Sequence, residues 1–201
     1  NTLTDASFRV RLLNVTYADS TGDREAITRH GILIEEDESL ADRLGFILAE
    51  MQEMVPAPVD RSHATLLHLF SYIVGNIDWS LEEPHNAVLL QKESFETVVP
   101  VPYDFDHAGF VGAHYADRMP PFGMTSPRYL LFKSFCRSEE ELTPALQVIE
   151  NHRDDLRAVI ADFPLLTPEE RRQGERFVER RIAHLMDPAE RQRLLLDSCS
   201  L

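Results

Sequence analysis

The chain has 201 residues, 43% of them apolar, which is enough to bury a core and too many for a disordered polymer. Its formal net charge is −14, from 34 acidic and 20 basic residues, a balance that argues against affinity built on neutralised nucleic-acid phosphates. No apolar run approaches the ~18–20 residues that cross a bilayer, because 64–74 and 98–103 are interrupted by His, Ser or Pro.

Residues 8–17 (FRVRLLNVTY) alternate in apolar parity with a slip at Leu13, which predicts a strand carrying a bulge. Turn residues 18–23 and a second stretch, 28–35, complete a hairpin that ends in the acidic run 35–38. From Ser39 the spacing becomes helical, with Leu40, Leu44, Ile47, Leu48 and Met51 on one stripe until Pro56 and Pro58. A second helix, 61–74, opens at Asp60 and is apolar on most of its surface, the mark of a buried helix; Gly75-Asn76 stops it. A polar loop, 76–86, leads to strands at 87–92 and 97–103 around a turn at 93–95. An irregular Gly- and Pro-rich stretch, 112–127, precedes helices expected at 129–137, 139–163 and 168–186, with a short tail after Pro188. Thr167-Pro168-Glu169-Glu170 has the form of a helix start. Segregated strands and helices of this kind make an α+β chain.

The order of elements has a chemical consequence. A hairpin sets its two ends side by side, since paired strands lie about 4.8 Å apart. Asn86 before the first strand and Asp104 after the second are therefore expected to be neighbours, with Asp78 on the loop entering the same edge. Asp104 and Asp106, one residue apart, would share a face if extended, where their repulsion is costly without a cation. Carboxylate and amide oxygens are hard donors suited to Mg²⁺ or Mn²⁺ with a nucleotide's phosphates, and a carboxylate left free can accept a hydroxyl proton.

The string FSYIVGNIDWSLEEPHN, followed by VPVPYDFDHAGFV, resembles the catalytic segment of the CotH-type atypical kinases and, more distantly, that of HipA-like kinases. The resemblance runs from about Leu3 to Tyr115. It implies a protein-kinase-like fold in which 1–38 is the hairpin remnant of a small lobe and 39–201 a mainly helical catalytic lobe, with the catalytic hairpin at 76–109. It also implies that Asp78 is the catalytic aspartate, that Asn86 and Asp104 hold the metal with Asp106 assisting, and that the cofactors are ATP and Mg²⁺ or Mn²⁺. The implied activity is phosphoryl transfer to a hydroxyl, on a protein partner. A kinase-shaped binding module without catalysis, a metal-dependent phosphohydrolase and a purely structural protein are the other readings the same residues allow.

Kinases hold the α- and β-phosphates with a lysine on an early strand and cover them with a Gly-rich loop. Neither precedes Asp78 here: the two lysines are Lys92 and Lys133, and no GxGxxG occurs. The expectation is that those parts lie upstream of Asn1, the chain being a fragment that begins without a start methionine or signal peptide; Arg9, Arg11 and Arg29 are the substitutes otherwise. The sequence assigns no compartment and no oligomeric state.

The remaining chemistry-bearing residues read as structural. His63 and His68 are five apart on a helix and no HExxH occurs, so the histidines are expected in packing or at the surface, His85 as an orienting group and His107 at most beside a phosphate. Trp79 reads as a plug positioning the loop, and the Arg-rich helix 169–181 as a solvated face. Arg118 and Arg128 have no spacing that marks a substrate site, and Cys136 and Cys199 form no metal or disulfide pattern.

Overall fold

The structure is a computed structural model, and it describes residues 1–49, 59–76, 78–80, 85–92, 97–113, 115 and 137–196. Two small antiparallel sheets and a set of helices make it α+β. β1 (Val10–Tyr17) and β2 (Ile27–Ile34) form a two-stranded ribbon; β3 (Ile47–Leu48), β4 (Ala87–Gln91) and β5 (Val98–Pro102) form a three-stranded sheet in that order. The helices are α1 (Asp37–Leu44), α2 (Arg61–Val74), α3 (Glu139–Asn151), α4 (Arg153–Ala161), α5 (Pro168–Met186) and α6 (Pro188–Arg191), which continues into a π-helical turn, Gln192–Leu196. No helix among the described residues is long and apolar enough to cross a membrane.

The apolar side chains collect in two clusters. Leu69 and Ile73 of α2 pack with Leu142 and Ile149 of α3, Ile160 of α4, and Ile182 and Leu185 of α5. Full burial of each such side chain contributes about 1.5–3 kcal/mol. Leu40 and Ala41 of α1 meet Leu90 and Val101 of the three-stranded sheet, with Phe8 closing the cluster. α2 ties the clusters together. Its N-terminal Asp60 caps the His63 amide and donates its own amide to Val98, and His63 Nε2 donates to the Pro100 carbonyl at 2.9 Å.

Several expectations need correction. β1 pairs with β2 in one unbroken register, Val10↔Ile34 to Tyr17↔Ile27, so the bulge at Leu13 is absent. Its parity slip records no burial, because apolar residues stand exposed on both faces of the ribbon. The helix expected from Ser39 to Met51 ends at Leu44. Gly45 takes a left-handed φ of 69°, closes the helix, and releases Ile47 and Leu48 to pair with Gln91 and Leu90. The long helix expected over 139–163 is two helices, broken at His152, whose φ of −107° lies outside the helical range. The tail after Pro188 is a helical turn capped by Asp187. By contrast 61–74 and 168–186 form as expected, the latter with a capping box between Thr167 and Glu170. Residues 129–136 of the helix expected at 129–137, the turn at 93–95, most of 112–127, and Lys133, Arg118, Arg128, Cys136 and Cys199 lie outside the described residues, while Arg137 is described and is not helical.

Candidate functional site

The site is built where α2 ends. Gly75 adopts φ 70° and turns the chain out of the helix; a Cβ there would stand 3.3 Å from the Phe177 ring and 3.4 Å from the Gly109 backbone. That closeness lets the turn after β5 dock on the helix end through Gly109 N–H to Gly75 O at 3.0 Å and Phe110 N–H to Val74 O at 2.9 Å. The buried Asn76 then accepts the Asp78 amide on its Oδ1 at 3.0 Å, a two-residue turn that fixes where Asp78 begins.

The β4–β5 pair brings up the other side. Asn86 precedes β4 and accepts the Tyr103 amide on its carbonyl at 2.9 Å, so the ends of the hairpin lie together as its order requires. Asn86 has φ 52° and Asp104 φ 54°, the only non-glycine residues in the left-handed region among those described. Such backbone is sparsely populated and marks positions that the surrounding structure enforces. Asn86 Nδ2 donates to the Asp78 carbonyl at 2.8 Å and to its Oδ2 at 3.2 Å, joining the two segments directly.

The acids are arranged differently from the sequence expectation. Asp104 is not extended: its exposed carboxylate accepts the Asp106 amide at 3.3 Å, so the two side chains do not share a β face. Asp106 is the one that turns toward Asp78. One oxygen each of Asp78 and Asp106 and one ring nitrogen of His107 all lie within 4.8 Å of one another, a group that does not include Asp104. His85 Nε2 stands 3.3 Å from Asp78 Oδ1, and His107 Nε2 3.8 Å from Asp106 Oδ2. Among the described residues no Lys or Arg makes an ion pair with Asp78, Asp104 or Asp106. Tyr115 hydrogen-bonds Asp106, and its hydroxyl is held above the ordinary tyrosine pKa by desolvation and by the Asp106 and Asp104 charges.

Around this group the other candidates take structural places. Trp79 stacks edge-on against the buried His68 at 5.0 Å, behind the loop. Burial drives the His68 pKa down to about 4, with the Ala64 carbonyl partly opposing it and the Arg137 charge adding to it. Phe105 meets Phe70 of α2 at 6.0 Å, anchoring the turn between Asp104 and Asp106. On the Arg-rich α5 Arg172 and Arg176 pair with Glu169 at the surface, yet Arg181 lies over the Phe177 and Tyr72 rings and donates to the Tyr72 carbonyl. Arg9 and Arg11 line a groove of about 690 Å³ at the base of the β1–β2 ribbon, together with Glu35 and without Asp78, Asp104 or Asp106.

Three members of the site were not assigned to it from sequence. Asn76 reads as a stop signal, although an Asn two residues before an Asp is itself an Asx-turn signal. His107 and Tyr115 carry no spacing that announces them. No protein-family model, curated protein or solved structure matches the chain.

Proposed function

We propose that the chain is the catalytic lobe of a kinase-like phosphotransferase that moves the γ-phosphoryl of ATP to a hydroxyl, on a protein partner. The observation that carries this reading is the gathering of Asp78, Asn86 and Asp106 at one end of the β4–β5 hairpin, with Asp104 on the same turn, and with no Lys or Arg ion pair to these acids among the described residues. Carboxylates held close without a Lys or Arg between them repel, and a divalent cation relieves the cost. The donor set fits Mg²⁺ or Mn²⁺: Asn86, Asp104 and Asp106 would hold the ion, which when bound neutralises charge on the nucleotide's phosphates.

The chain's own residues supply positioning and a proton acceptor. Asp78, with its side chain 31% exposed, is reachable by an acceptor hydroxyl. As the hydroxyl oxygen forms its bond to the γ-phosphorus and the bond to ADP breaks, the hydroxyl proton passes to Asp78. Asn86 holds Asp78 in place through its Oδ2 and carbonyl, and Asn76 holds its amide. The proposed lobes are 1–38 and 39–201, with Arg9 and Arg11 the nearest cations to the ribbon's groove.

The test follows phosphate from labelled ATP in the presence of Mg²⁺ and protein acceptors. Asp78→Ala and Asp104→Ala are expected to abolish transfer while keeping the parent's melting temperature. Unchanged transfer in either variant would sink the assignment. Release of inorganic phosphate with no acceptor would point to a phosphohydrolase, and a melting shift with Mg²⁺–ATP but no transfer to a binding module.

A further inference from the structure

His107 has no part in the transfer chemistry, yet its ring nitrogen belongs to the same donor group as Asp78 and Asp106. Its 3.8 Å separation from Asp106 Oδ2 is too long for a hydrogen bond. It is close to the ~3.4 Å between two ligands of one tetrahedral ion with bonds of ~2.1 Å, and the Asp78 oxygen lies within 4.8 Å of both. Imidazole nitrogen favours the later first-row ions, whereas Mg²⁺ takes oxygen alone.

The surroundings are those of a metal site as well. Asn86 Nδ2 orients the Asp78 carboxylate, and the Tyr115 ring lies edge-on to the His107 ring at 6.2 Å, outer contacts that fix ligand direction. The two ligand-bearing segments are fastened to each other by the Gly109–Gly75 and Phe110–Val74 backbone bonds.

We propose that Asp78, Asp106 and His107 bind a divalent transition ion of the zinc or cobalt class, leaving a coordination position for water or a phosphate oxygen. The binding stands on the geometry alone. Its regulatory consequence rests on the phosphotransfer reading: an ion there takes up the carboxylate needed for the acceptor's proton, and transfer stops until it leaves.

The experiment titrates Co²⁺ alone into the chelator-stripped chain and follows visible absorption. One ion per chain is expected, with His107→Ala and Asp106→Asn each weakening binding about tenfold or more. The His107 side chain is 38% exposed, so the substitution is expected to leave the metal-free melting temperature that of the parent. Absence of Co²⁺ binding, or equal binding by His107→Ala, overturns the site. Co²⁺ binding that needs His107, in a chain that transfers no phosphate, upholds the site and fells the phosphotransfer reading instead. Where transfer occurs, zinc must inhibit the parent at a concentration at least about tenfold below that needed for His107→Ala.

Discussion

The β1–β2 ribbon and the β4–β5 hairpin are both antiparallel pairs rich in branched aliphatic residues, and they end in opposite circumstances. In the ribbon Val10, Leu12, Leu13, Ile32, Leu33 and Ile34 remain exposed, Ile32 by 73%. In the hairpin Leu90, Val98 and Val101 are buried, the first and last completely. What separates them is what lies against the sheet. α1 covers one and α2 runs beside it, whereas the ribbon joins the body chiefly through the Glu35–Arg43 pair and Phe8. A strand's composition does not make it part of a core; a covering element does.

The largest effect expected from this contrast lies in the helical core. Ile182→Ala should lower stability by about 2–5 kcal/mol, because the fully buried side chain leaves a cavity. Ile32→Ala should stay within about 0.5 kcal/mol. Paired denaturant melts measure both, and equal losses would mean that the ribbon is covered in solution.

Acid sharpens the same comparison. His68 sits in the core with a pKa near 4 against an ordinary 6.5, so the unfolded chain binds its proton first as pH falls. Its contribution is complete above about pH 6.5 and is lost as pH falls toward 4, by about 3 kcal/mol in all. His68→Leu should flatten melting temperature against pH across that window; an unaltered slope would place the titration elsewhere.

Glycines at the two regions differ in a smaller way. Gly22 in the ribbon's turn and Gly75 at the site both have left-handed φ, 80° and 70°. An alanine at Gly22 meets nothing within 4 Å and costs only the backbone penalty of about 1–2 kcal/mol. At Gly75 the Cβ presses on Phe177 and Gly109, so Gly75→Ala should destabilise more and also loosen the turn that carries Asp106 and His107. Thermal melts rank the two variants, and equal costs would mean that Phe177 yields freely.

The smallest effect belongs to the tie between the regions. Two hydrogen bonds from Arg43, with the Arg9 amide, hold the Glu35 carboxyl down to about 2 from an ordinary 4.5. The stabilisation is present above about pH 4.5 and disappears as pH falls toward 2. Glu35→Gln should cost about 1 kcal/mol at neutral pH, and its melting temperature should converge with the parent's in acid.

Local signals in the sequence determined much of this molecule. Asp60 and the Gly75 stop bound α2, Thr167 through Glu170 starts α5, and the order of elements places Asn86 beside the end of β5, because caps and hairpin closure act over a few residues. Which acids meet was decided only in three dimensions. One Asp104 carboxylate oxygen accepts from its own turn, and Asp106 and His107 reach Asp78 because Gly75 and Gly109 let two distant segments touch. The same holds for β3 and the ribbon. Ile47 and Leu48 leave their helical stripe for a sheet edge once Gly45 turns the chain, and the ribbon's apolar pattern acquires no inside, since burial depends on neighbours far along the chain.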